Sequence, residues 1–200
     1  MKKSLLLASI FLAGLKPIFA QHFSHGIGVG IFVADSKTTD ARGSFAFTYS
    51  PRYNFVEMEN ASLSVGIPLS VGFSGSYSAT YNSYDGYYED NSLGYMINVP
   101  LIVNFNFGAG SFKGNKQKFG FFAGGGYALH TGTTDYIAFD DYGSYTDSET
   151  RTTTGPVANA GMRIGLGRRK THNLEIKTSY MKGIGDYNPD IFAVGCLFNF

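Results

Sequence analysis

The sequence predicts an all-β chain, an eight-stranded antiparallel up-and-down barrel that crosses a membrane. Three observations predict it. Apolar residues alternate with small ones through segment after segment, the period-two signature of a strand with two unlike faces. The chain ends on such a strand: Phe192, Val194, Cys196, Phe198 and Phe200 share one face, Ala193, Gly195 and Asn199 share the other, and Leu197 is the exception. A soluble protein rarely ends on an exposed aromatic strand, whereas a closed barrel in lipid seals its last strand against its first. The third observation is a leader of the kind that directs export. Lys2 and Lys3 precede an apolar run from Leu5 to Leu15, and Ile18-Phe19-Ala20 offers a cleavage site. Residues 1–20 are therefore expected to be a signal peptide and 21–200 a single barrel domain.

Composition agrees. The chain holds 26 glycines, 18 phenylalanines, 14 tyrosines and no tryptophan. Its mean hydropathy is near zero, too polar for a helical membrane protein and too aromatic for a disordered one. Alternation hides the hydrophobicity of a barrel from such averages. No stretch after the leader approaches the length of a membrane helix. Removing Lys2, Lys3 and Lys16 with the leader leaves 13 basic against 15 acidic residues, a net charge of −2. That balance argues against a nucleic-acid partner. Cys196 is the only cysteine, so no disulfide framework is expected despite export.

Eight strands are expected, at 25–34, 43–55, 62–77, 94–108, 118–131, 156–167, 173–184 and 189–200. The first sets Ile27, Val29, Ile31 and Val33 against Gly26, Gly28, Gly30 and Phe32. The third sets Leu63, Val65, Ile67, Leu69, Val71 and Phe73 against serines, glycines and Pro68. The fourth sets Ile97, Val99, Leu101, Val103, Phe105 and Phe107 against Asn98, Pro100, Ile102, Asn104 and Asn106. Met162, Ile164 and Leu166 mark the sixth strand, and Leu174, Ile176, Thr178 and Tyr180 the seventh. The non-apolar face is mostly Gly, Ser, Asn and Ala, groups that suit a crowded interior rather than a watery surface. An eight-stranded barrel is just wide enough for side chains to fill, so the apolar face is expected to meet lipid.

With both chain ends in the periplasm, the outer connections are 35–42, 78–93, 132–155 and 185–188, and the inner ones 56–61, 109–117 and 168–172. Two outer connections are long and polar, the asymmetry of transmembrane barrels. Pro68 and Pro100 fall inside strands, where each must either remove a ladder hydrogen bond or mark a bulge.

Three segments carry a resemblance: Tyr49-Ser50-Pro51-Arg52-Tyr53, Ser64-Val65-Gly66-Ile67-Pro68-Leu69, and Asn98 to Gly108, together with the terminal Phe200. Through them the chain resembles the small outer-membrane β-barrel domains of bacteroidete-type porin-family proteins, built like the OmpA and OmpX barrels. The resemblance implies residence in outer-membrane lipid and assembly by the outer-membrane insertion machinery, which reads a C-terminal aromatic strand such as Phe198 and Phe200. It implies no single activity.

Parity places Arg52, Lys118, Arg163, Glu175 and Lys177 on the inward face. Unpaired charges there are costly, so a lumenal network is expected in which Glu175 pairs with Arg163. Its role is either structural, plugging the barrel, or that of a gate in a narrow path. His130 also points inward, near the outer rim. A lipid-attacking enzyme would need a hydroxyl nucleophile and an acid beside it, and no such motif surrounds His130. Gly26, Gly28 and Gly30 lack the spacing of a dinucleotide fingerprint. No cofactor and no metal site is expected, because the acidic loops show no ordered ligand pattern.

The outer connections hold the remaining candidates for interaction: Tyr81, Tyr84, Tyr87 and Tyr88 in one, and Asp140, Asp141, Tyr142 and Tyr145 in the other. Tyrosine offers contact area at low entropic cost, yet aromatics also form interfacial girdles and acids also keep loops solvated. The expectation is a monomeric, non-catalytic barrel with a filled interior, acting structurally or through its surface loops on an extracellular partner. A narrow passive pore is the alternative, and a lipid A-modifying enzyme the third reading.

Overall fold

The computed structural model describes residues 22–36, 39–82, 86–112, 114–140, 143–185 and 188–200. The leader lies outside them. Nine strands form one antiparallel sheet: β1 (His22–Ser36), β2 (Thr39–Glu57), β3 (Ala61–Gly66), β4 (Leu69–Asn82), β5 (Gly86–Gly108), β6 (Phe119–Asp140), β7 (Gly143–Leu166), β8 (His172–Lys182) and β9 (Asp190–Asn199). β1 pairs with both β2 and β9, so the sheet closes. β3 and β4 are two halves of one stave: Arg52↔Gly66 and Tyr49↔Leu69 keep the same register against β2, and Gly66↔Ile102 and Ser70↔Asn98 keep it against β5. The ring therefore has eight staves.

The register sets the dimensions. Followed strand to strand from His22 through Asn54, Ser64, Asn104, Gly124, Asn159, Ser179 and Ala193, the path returns to β1 at Phe32, ten residues further along. With strand spacing of about 4.8 Å and a rise of about 3.3 Å per residue, that stagger tilts the strands by about 40° and gives a backbone radius of about 8 Å. Such a cylinder has room for side chains inside and little more.

The interruption between β3 and β4 is caused by proline, and it is not a bulge. Unchanged register puts Pro68 opposite Pro100. Ile67 N–H donates to Pro51 O at 3.2 Å, so the next residue's backbone turns to β5, where the opposed residue is also a proline. Neither has an N–H to give, and one rung of the β4–β5 ladder is left without hydrogen bonds.

The outer wall is apolar around the ring. Ile31, Phe47 and Phe73 are each about 60% exposed (60%, 61% and 59%), with Phe105, Phe121, Phe192 and Phe198 turned out like them. Soluble monomers rarely expose contiguous apolar patches above a few hundred Å²; here lipid covers the wall. β8 and β9, of 11 and 10 residues, match the span a tilted membrane strand needs. At the short-turn end, rings stack from β2 across β1 and β9 to β8: His25 on Tyr49 and on Phe200, and Phe198 on Phe200 and on His172. This is the aromatic girdle of one interface.

Within the expected loops 78–93 and 132–155, the described residues 78–82, 86–93, 132–140 and 143–155 are instead strand. β2 stops pairing with β4 at Phe45↔Phe73, yet β4 and β5 continue together to Asn82↔Gly86. β5 stops pairing with β6 at Met96↔Gly132, yet β6 and β7 continue to Asp140↔Gly143. Each pair leaves the barrel as a two-stranded ribbon about 25–30 Å long. Thr and Tyr favour extended backbone, and polar residues on both faces remove the alternation by which a buried strand is recognised.

Candidate functional site

The lumen is filled in layers. Toward the short-turn end it is polar and charged. Arg163 and Glu175 are opposed on β7 and β8, and Arg163 Nε donates to Glu175 Oε2 at 2.7 Å. Arg52, from the far side of the ring on β2, reaches the same oxygen through Nη1 at 3.5 Å. Asn199 Nδ2 donates to it at 3.1 Å. Arg163 Nη1 donates to Asn106 Oδ1 at 2.9 Å, and Asn106 Nδ2 donates on to Ser64 Oγ at 2.9 Å. The Arg163 guanidinium also lies 4.3 Å from the centroid of the Phe122 ring, within cation–π range. Arg163 is 1% exposed and Glu175 4%. Charges this deep persist only when paired and hydrogen-bonded, and here one carboxylate ties together β2, β7, β8 and β9. Lys177 enters the same layer from β8, half-buried.

Of the five residues expected in the lumen, Lys118 is the correction. It is exposed, and its ammonium sits 5.5 Å from the Phe119 ring. β6 begins at Phe119, so Lys118 belongs to the preceding turn, where strand parity assigns no face. Sequence reasoning missed the amide and hydroxyl members of the network, Asn106, Asn199, Ser62 and Ser64, as well as the Phe122 ring. The signal was present in part, since asparagines recur on the inward face of the fourth expected strand.

Above the charged layer the interior is apolar. Phe32, Met96, Ile102, Val157, Met181 and Ile191 pack together with Ala46, Ala128 and Ala193. Polar groups return at the opposite rim, where Arg42 Nε donates to Ser74 Oγ at 2.7 Å. His130 is there as expected, 5% exposed, with Nδ1 lacking a protein hydrogen-bond partner. Beneath the charged layer Asn54 Nδ2 donates to Ser111 O at 2.7 Å, and His22 Nδ1 hydrogen-bonds to Glu57 Oε1 at 2.6 Å. A cavity of about 290 Å³ opens at this end.

The interaction candidates fall on the two ribbons. Tyr81 lies opposite Tyr87 and Thr80 opposite Tyr88. Asp140 is opposite Gly143, and Ala138 opposite Tyr145. Tyr84, Asp141 and Tyr142 lie outside the described residues. Phe198 and Phe200 turn outward on the last strand, and Phe198 pairs with Ile27 on β1.

No protein-family model and no curated protein sequence matches the chain. Solved structures do. Neisserial surface protein A, from Neisseria, superposes with a TM-score of 0.57 at 12% identity, covering 90% of this chain and 97% of that one. The outer membrane protein OprG from Pseudomonas aeruginosa gives 0.48 at 10% identity, over 90% and 97%. Ail, the attachment invasion locus protein of Yersinia pestis, gives 0.45 at 15%, over 90% and 98%. At such identity the first of these speaks for the fold alone, and it agrees with the ring traced above: this chain has the fold of the small eight-stranded outer-membrane β-barrels.

Proposed function

We propose that the protein is a non-catalytic, integral outer-membrane barrel, exported through a cleaved leader, that acts through its two projecting ribbons. One combination supports this reading. Charged and apolar layers cross the lumen in succession, while β4–β5 and β6–β7 extend well beyond the wall. A filled interior leaves the exposed ribbons as the working surface. Their tyrosines suit contact with another molecule, and their free edges suit strand addition. The partner would be extracellular, and the barrel itself a monomer.

A narrow passive channel is the second reading, favoured by the cavity that enters the lumen from the short-turn end. Single-channel recording of the refolded 21–200 chain in a planar bilayer tests both. A silent bilayer with folded protein is expected. Discrete steps that change on E175Q or R163Q would establish conduction and refute the filled-barrel reading. Shortening both ribbons to tight turns should then abolish cell-surface binding by the protein while the barrel still folds.

A further inference from the structure

We propose that the short-turn mouth of the barrel binds an anionic phospholipid, with its phosphate in the basic mouth and an acyl chain in an adjoining groove of the outer wall. The proposal rests on the outer-membrane reading above, which puts this mouth at the periplasmic leaflet.

The first observation is a surplus of buried positive charge. Arg52, Arg163 and Lys177 share the layer with Glu175 as their one carboxylate. Glu57, the next acid toward the mouth, is engaged by His22 and by Asn54. Uncompensated charge in a narrow interior is costly, and a bound anion offsets it.

The second observation is the cavity itself. Its lining includes Ser24, Arg52, Lys170, His172, Asn173 and Phe200, so the chain-end carboxylate of Phe200 is the one acidic group among them. Arg52 gives Nε to Ser24 at 3.1 Å and Nη1 to Glu175 at 3.5 Å, and its guanidinium fork is the donor that fits phosphate oxygens. Lys170 is fixed at the rim by donating to Lys116 O at 2.6 Å. Arg168 and Arg169 precede it in the same turn, both exposed.

The third observation selects a lipid over a soluble anion. Arg52 and Phe23, which line the mouth, also line a groove of about 590 Å³ on the outer wall. The rest of that groove is apolar, made by Pro51, Tyr53, Val65, Ile67 and Leu101 with Gly66. The basic pocket lies inside the wall and the groove outside it, and the two share Phe23 at the rim of β1, at the depth of the aromatic girdle. A molecule with a phosphate head and an acyl tail can fill both, its tail in the membrane where it already resides. A free phosphate would use the mouth alone.

The test is native mass spectrometry of the refolded 21–200 chain released from bilayers of equal phosphatidylglycerol and phosphatidylcholine. The wild type should retain phosphatidylglycerol about tenfold over phosphatidylcholine. That preference should fall at least about fivefold in K170Q/H172Q, and retention of either lipid should fall in F23A. K182Q, at the opposite end and paired with Asp190, should behave as wild type. Lys170 and His172 stand outside the Glu175 network, so K170Q/H172Q leaves that network intact. Equal retention of the two lipids would overturn the proposal. So would a preference untouched by K170Q/H172Q. If 10 mM inorganic phosphate displaces the lipid and F23A changes nothing, the site takes soluble phosphate and the lipid assignment is wrong. Stronger retention of acidic peptidoglycan fragments would overturn it likewise. A chain that fails to insert into bilayers at all refutes the membrane reading, which is a separate and recognisable result.

Discussion

Neutralising Glu175 tests how the lumen is held together. E175Q keeps the size and one carbonyl oxygen but removes the charge. It leaves Arg163, whose Nε is 2.7 Å from the acceptor, and Arg52, at 3.5 Å, facing a neutral amide. Both guanidiniums are buried, at 1% and 8% side-chain exposure, so water does little to replace the lost carboxylate. Removing one partner of a buried pair costs about 3–5 kcal/mol. The retained amide oxygen and the cavity beneath the layer place this case near the lower bound, about 3 kcal/mol, or more than about 100-fold in the folding equilibrium. Urea unfolding in lipid vesicles, followed by far-ultraviolet circular dichroism because the chain has no tryptophan, reads that change. R163M/E175Q should be less damaged than the two single variants predict by addition, by about 1 kcal/mol or more, since one stranded cation is gone. An E175Q barrel within about 0.5 kcal/mol of wild type, or strictly additive variants, would refute the account of Glu175 as the tie between the staves.

Three further outcomes are expected. P68A should give the Pro68–Pro100 rung one donor and raise stability by about 0.5–1.5 kcal/mol, with P68A/P100A gaining more, read from the same urea midpoints. G28A should impair closure: a Cβ on Gly28 would overlap the carbonyl oxygen of Cys196 on β9, a backbone atom that cannot rotate away, and the heat-modifiable band of the folded barrel on gels should be lost. Replacing 135–140 and 143–148 by a tight turn should change barrel stability by no more than about 1 kcal/mol, because in the strand ladder those residues pair with each other, while Thr133 and Thr150, which hydrogen-bond to Tyr95, are kept; a larger loss would mean the ribbon braces the ring.

The membrane-spanning part of the fold was legible because lipid and lumen impose opposite chemistry on alternate residues. Phe192, Val194, Cys196 and Phe198 turn outward and Ala193, Leu197 and Asn199 inward, so the apparent exception, Leu197, is an inward residue that fills the lumen. Parity also brought Arg163 to Glu175. It failed at Lys118, one residue outside a strand, and it was silent along the ribbons, whose sequence does not alternate. The ribbons show no hydrophobic period by which strand logic could find them. The apolar layer of Phe32, Met96, Val157, Met181 and Ile191 comes from five different staves and has no one-dimensional trace. Only the ten-residue stagger brings those positions to one height.

That stagger also explains why the two halves of the lumen differ. A ring with a backbone radius of about 8 Å can be filled either by small groups bridged through hydrogen bonds or by a few large apolar side chains. At the short-turn end the wall supplies Ser62, Ser64, Asn104 and Asn106 from β3 and β5, small polar groups that leave space for two guanidiniums and accept their hydrogen bonds. Toward the ribbons it supplies alanine and glycine opposite Phe32 and Met96, so the same cross-section is closed by hydrocarbon. Solutes entering from the mouth would meet the buried guanidiniums first and the apolar layer after them. On the readings proposed above, the mouth would receive anions, the apolar layer would block passage, and the ribbons and the mouth would be separate working surfaces of one wall.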